Sequence, residues 1–169
     1  MDVTLAAPTP SDAAEFITET RASTALHAPW IAPADSPARF DDYLDRAAGH
    51  DCAAYLIRHT SCGGLVGFVN VNSIVRSAFQ SGYLGYAAFT SHAGRGLMAE
   101  GLAAVVDAAF GTLGLHRVEA NIQPTNVRSI ALARRLGFVL EGFSPRYLFV
   151  DGDWRDHQRW ALRAEMWTA

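Results

Sequence analysis

The spacing of apolar residues changes period several times along this chain, and each change marks an element. Val3–Ala6 is a short apolar run that predicts a strand. Ser11 precedes a segment of helical spacing through about Ala22. Ser36-Pro37 opens another through about Ala48, its proline pre-set for a first helical turn. Ala53–His59 and residues 65–72 predict strands joined by the turn Ser61-Cys62-Gly63-Gly64, and residues 83–89 predict a third. The period then lengthens. Within GLMAEGLAAVVDAAFGTL, residues Leu97, Met98, Leu102, Val105, Val106, Ala109, Phe110 and Leu113 recur at helical spacing, while Glu100, Ala104, Asp107 and Gly111 fall on the opposite stripe. Arg117–Ile122 predicts a strand again, Asn126 caps a helix ending near Leu136, and Gly137 stands in the stop position. Residues 138–143, 147–150 and 154–162 close the chain as strands, the last two joined by Asp151-Gly152-Asp153. Two helices, a meander, a strand-helix-strand-helix unit and further strands predict a mixed α/β sheet with helices on its faces.

Composition narrows the class of protein without naming it. The 169 residues, half of them hydrophobic, suffice for one substantial core, and no repeat or long linker divides them. A single domain over residues 1–169 is therefore expected, with the Pro-rich stretch 29–37 as a loop inside it. The net charge of -3 offers no footprint for nucleic acid. No apolar run approaches the roughly 18 residues of a membrane span, and the first residues lack a basic start, so a cytoplasmic protein is expected. Cys52 and Cys62 fit no ligand spacing along the chain, and no sequence cluster of His, Cys and acidic residues suggests a metal. All fourteen basic residues are Arg; the chain has no Lys.

The most informative stretch is SHAGRGLMAE, residues 91–100, between a predicted strand and a predicted helix. Gly94 and Gly96 let the backbone turn tightly and approach a ligand closely. The first amides of the following helix have no internal partners and carry the positive end of its dipole. A pyrophosphate suits such a site, and Arg95 adds charge. The dinucleotide fingerprint is incomplete, since no third glycine follows, and a P-loop is excluded because no Lys exists.

Downstream, LGLHRVEANIQPTNVRSIALARRLGFVLEGF followed by DGDWRDHQRW resembles the GNAT acetyltransferase family, and within it the RimJ/RimL group. LHAPWI at 26–31 and GYLGYAAF at 82–89 extend the resemblance over nearly the whole chain. Ser91 departs from it, standing where that family usually has Gln or Arg. The resemblance implies one domain with a mixed, mostly antiparallel sheet splayed between its fourth and fifth strands and flanked by about four helices. It also implies acetyl-coenzyme A as cosubstrate, with the pantetheine arm held beside Ala87, Phe89 and Asn121 in the splay. The pyrophosphate would lie on His92, Gly94, Arg95, Gly96, Leu97 and Met98, and Asn126 and Ser129 would face the arm from one side of their helix. The family often forms dimers, so a homodimer is expected too.

Acetyl transfer to an amine needs a neutral amine, a polarised thioester and a proton for the departing thiolate. Glu141, between Leu140 and Phe143, is the expected base, its pKa raised by apolar neighbours; pairing with Arg146 is the alternative. Ser129, Tyr147 or water would protonate the thiolate. His27, Trp30, Tyr83 and Tyr147 are expected to shape the acceptor groove. Glu100 reads as a solvated residue and His157 as a structural hydrogen-bonding one. The expected acceptor is a protein N-terminus, such as that of a ribosomal protein. A small-molecule amine, or a module that binds acetyl-coenzyme A without catalysis, is the alternative.

Overall fold

The computed structural model describes residues 1–168. Its elements are β1 (Val3–Ala6), α1 (Ala13–Ala22), α2 (Thr24–His27), α3 (Pro37–Ala47), β2 (Ala53–His59), β3 (Leu65–Val75), β4 (Ser81–Ala88), α4 (Leu97–Phe110), β5 (Arg117–Ile122), α5 (Val127–Arg135), β6 (Val139–Val150) and β7 (Asp153–Arg163). The seven strands form one sheet in the order β1-β2-β3-β4-β5-β7-β6. Every pair is antiparallel except β4 and β5, which run parallel because α4 carries the chain from one to the other.

Strand alternation builds a core on each face. Leu56 and Ile57 are neighbours in sequence and fully buried on opposite sides. On one side Phe16 of α1 packs against Phe40 and Tyr43 of α3 and Phe68 of β3, with ring centroids 5.1, 5.5 and 5.3 Å away. Truncating Phe16 to Ala would remove the centre of this cluster at a cost of roughly 3–5 kcal/mol. On the other side Leu102, Val105, Val106 and Ala109 of α4 meet Val66, Val69, Val118 and Leu162. Arg58 ties the start of α1 to the sheet, donating to Asp12 at 2.6 Å and Glu15 at 2.9 Å.

The expected elements are present, with two differences. α2 has only four residues, too few to leave a period in the sequence. The predicted strands 138–143 and 147–150 are one strand, β6, whose register slips between Ser144 and Leu148, where Arg146 takes a positive φ of 48°.

Pairing between β4 and β5 runs only from Ser81–Arg117 to Leu84–Ala120. Beyond it the two strands part, as a splayed sheet requires. Phe89 N–H donates to Val66 O at 2.8 Å, so by alternation Ala88 and Tyr86 turn their main-chain groups away from β3 and into the gap.

Candidate active site

The gap between β4 and β5 opens into a cleft of about 1080 Å³, large for a small-ligand pocket and suited to an extended ligand. It reaches from His27 and Trp30, past Tyr86 and Ser129, to Gly94, Gly96 and Met98. No Asp or Glu lines it among the described residues.

At one end the glycine loop is arranged to take an anion. Gly94 and Gly96 have φ of 80° and 82°, values that cost other residues strain. Gly96 caps α4 without a side chain, which leaves the first-turn amides of Leu97 and Met98 open. Arg128 and Arg135 of α5 line the cleft and add two positive charges. The sequence reading missed both, although Arg128, Leu132 and Arg135 recur at i, i+4 and i+7 along one predicted helix.

In the middle, two hydroxyls meet. Tyr86 Oη lies 2.6 Å from Ser129 Oγ, and burial pushes the Tyr86 phenol up to about 12, so it keeps its proton at neutral pH. Asn126 accepts from Ser129 N–H at 3.2 Å and so fixes the first turn of α5 on the cleft. Asn121 Oδ1 is buried without a partner among the described residues, an acceptor left for a ligand donor.

Two buried histidines complete the wall. His27 Nε2 donates to Ala88 O at 2.8 Å, inside the gap, while its Nδ1 has no partner among the described residues. His157 Nδ1 donates to Arg155 O at 2.9 Å, since a carbonyl only accepts, and Nε2 is left as the basic nitrogen. Burial holds both rings below the ordinary histidine range, so both are neutral at pH 7.

Residues 2–139 match the acetyltransferase (GNAT) domain family. The chain belongs to the GNAT acetyltransferase family.

A relative within the family is the [ribosomal protein uS5]-alanine N-acetyltransferase of Escherichia coli, 42% identical over 104 residues. That match covers 62% of this chain and 54% of the enzyme, so the chain spans about half the length of this curated relative. Among solved structures, Mycobacterium smegmatis RimJ in complex with CoA-disulfide is 30% identical, with a TM-score of 0.87 over 96% of this chain and 82% of that one. The Vibrio cholerae spermidine N-acetyltransferase in complex with CoA and spermine shares the fold, with a TM-score of 0.82 at 20% identity over 98% of this chain and 97% of that one.

Measured against this GNAT site, the expected residues divide into three groups. Ala87, His92, Gly94, Gly96, Met98, Asn121, Asn126, Ser129, His27 and Trp30 line the cleft. Leu97 offers its amide, but its side chain is buried in the core, and Arg95 is exposed beside the loop. The remainder lie elsewhere. Phe89 is fully buried against α1 and its N–H already binds Val66, so it presents nothing to the gap. Tyr83 is exposed in the paired part of β4, opposite Glu119. Tyr147 is also exposed and only backs His157, its ring centroid 6.2 Å away.

Glu141 needs the largest correction. It is absent from the cleft lining and pairs with Arg117, not Arg146, at 2.9 Å from Nη1 to Oε1. That hydrogen-bonded guanidinium holds the carboxyl below the usual range instead of above it. Leu140 and Phe143, expected to desolvate it, are themselves exposed on the edge strand. Glu100 likewise serves structure: it accepts from Asp2 N–H at 2.6 Å and ties β1 to α4.

Proposed function

We propose that this chain is a single acetyltransferase domain over residues 1–169, using acetyl-coenzyme A to acetylate a primary amine, the α-amino group of a protein N-terminus. The carrying observation is the gap: β4 and β5 part after Leu84–Ala120, and one cleft then joins open strand groups, a hydroxyl pair and the glycine loop. The cosubstrate supplies a thioester carbon for the amine to attack. Tyr86 and Ala88 would hold its arm as a strand edge holds a peptide, and Gly94 to Met98 with Arg128 and Arg135 would hold its phosphates.

His157 takes the role that Glu141 cannot. Its Nε2, neutral and basic, accepts the proton from the attacking amine, directly or through one water. Ser129 Oγ–H, held in place by the Tyr86 hydroxyl, donates a hydrogen bond to the departing sulfur, and solvent water supplies the thiolate's proton. The unpartnered Asn121 amide oxygen accepts from an N–H of the bound arm.

The acceptor follows from charge. A polyamine carries several positive charges and would meet no carboxylate in this cleft among the described residues. A peptide N-terminus brings one amine, and about a tenth of α-amines are neutral at pH 7, against roughly one Lys side chain in 2,500. The relative that acts on a ribosomal protein alanine supports the same choice and a cytoplasmic site of action. A homodimer through the exposed Phe143, Phe149 and Trp154 also fits, and light scattering would measure it.

The test is turnover of acetyl-coenzyme A with peptides varied at their first two residues, beside spermidine and aminoglycosides. Thiol release matched by acetylation of the peptide α-nitrogen is expected; turnover confined to the small amines would overturn the acceptor.

A further inference from the structure

His59 at the end of β2, Cys62 in the turn to β3 and His92 in the turn after β4 converge on one point. Their ligand atoms all lie within 4.8 Å of one another. Cys62 Sγ is 3.4 Å from His59 Nδ1 and 3.7 Å from His92 Nε2. A tetrahedral zinc with Zn–S of about 2.3 Å and Zn–N of about 2.0–2.1 Å sets the sulfur–nitrogen edge near 3.6 Å. Both sulfur–nitrogen edges therefore have the required length.

The surroundings also fit a ligand set. His92 Nδ1 lies 3.1 Å from Leu65 O, which can only accept, so Nδ1 carries the proton and Nε2 turns its lone pair to the thiol. Ser91 Oγ, 3.1 Å from the same Nδ1, helps to hold that ring orientation. The His59 and His92 rings are stacked with centroids 5.5 Å apart. Gly64 leaves room for this, because a Cβ there would stand 3.1 Å from His92 Cε1. Ser61 Oγ approaches His59 Nδ1 at 3.0 Å and is the group a metal must displace.

We propose that His59, Cys62 and His92 bind one zinc ion, with water at the fourth position. Two imidazoles and one thiolate select a borderline-soft dication over magnesium or calcium, which prefer oxygen. On binding, the Cys62 thiol releases its proton to solvent. The metal would clamp the β2–β3 turn to the connection that leads into the glycine loop. This inference does not depend on acetyl transfer.

The experiment uses the full chain with Cys52→Ser, so that Cys62 is the one thiol, after treatment with a chelator. Cobalt(II) at one equivalent should give a near-ultraviolet thiolate-to-cobalt band that zinc abolishes, and zinc should raise the Tm. Cys62→Ser should remove the band, and both Cys62→Ser and His59→Ala should weaken zinc binding at least about tenfold. No metal uptake, or unchanged affinity in Cys62→Ser, overturns the proposal. A third reading needs no change at Cys62: zinc should slow its alkylation by iodoacetamide at least about tenfold, and an unchanged rate also overturns the proposal.

Discussion

Two polar constellations share one face of the sheet, and their chemistry is opposite. At the start of β5, Arg117 forms partly exposed ion pairs with Glu119 and Glu141. At its end, the buried Asn121 carboxamide oxygen and the neighbouring buried His157 of β7 stand neutral beside the cleft. Four positions along β5, roughly 13 Å at 3.3 Å per residue, separate them. The sheet itself makes the difference. Where β5 lies paired between β4 and β7 it leaves its outward side chains to solvent, and there charge finds charge. Where β4 turns away, the strand ends open a cleft that neutral groups line. An ion pair perturbs a carboxylate as strongly as a catalytic site does, so the sign of the shift, downward for Glu141, separates the two cases.

Substitutions at the two ends should therefore behave differently. His157→Gln should have the largest effect, lowering kcat by about 10²–10⁴-fold in steady-state thiol release, with the KM for acetyl-coenzyme A changed little. Ser129→Ala should lower kcat by roughly 10²-fold, and Tyr86→Phe by less, since Ser129 keeps its own proton. Gly96→Ala places a Cβ at a φ of 82°. It should cost about 1–2 kcal/mol in chemical denaturation and raise the KM for acetyl-coenzyme A several-fold. Glu141→Gln should have the smallest effect, keeping kcat within about twofold and stability within about 1 kcal/mol, as expected of a partly exposed ion pair.

The buried histidines also make stability depend on pH. The ordinary value of 6.5 applies to the unfolded chain, and both His27 and His157 titrate lower in the fold. The unfolded state therefore takes up more protons as pH falls below 6.5, so their contribution is complete above that value and is lost on acidification. Urea unfolding at pH 7.5 and 5.5 should show this loss, and His157→Gln should reduce it.

Much of the fold was legible because period and punctuation act locally. Asn126, Gly137 and Ser36-Pro37 mark helix ends through backbone chemistry that needs no partner. The glycine loop was legible for the same reason. The base was not. Leu140 and Phe143 signal burial around Glu141 only if their strand is covered, and β6 is an edge whose apolar side chains face out. His157 becomes basic through a carbonyl two residues away and a cleft formed by other strands, neither of which leaves a mark in its own segment. His59, Cys62 and His92 meet only because adjacent strands bring two connections together across thirty residues of sequence.

Proton acceptance by His157 is tested most directly by the pH dependence of kcat. Followed from pH 5 to 8 with an α-amine peptide, the native protein and Glu141→Gln should share a break below 6.5, the ordinary histidine value, that His157→Gln lacks. A break that survives in His157→Gln and vanishes in Glu141→Gln would contradict it and return the base to β6.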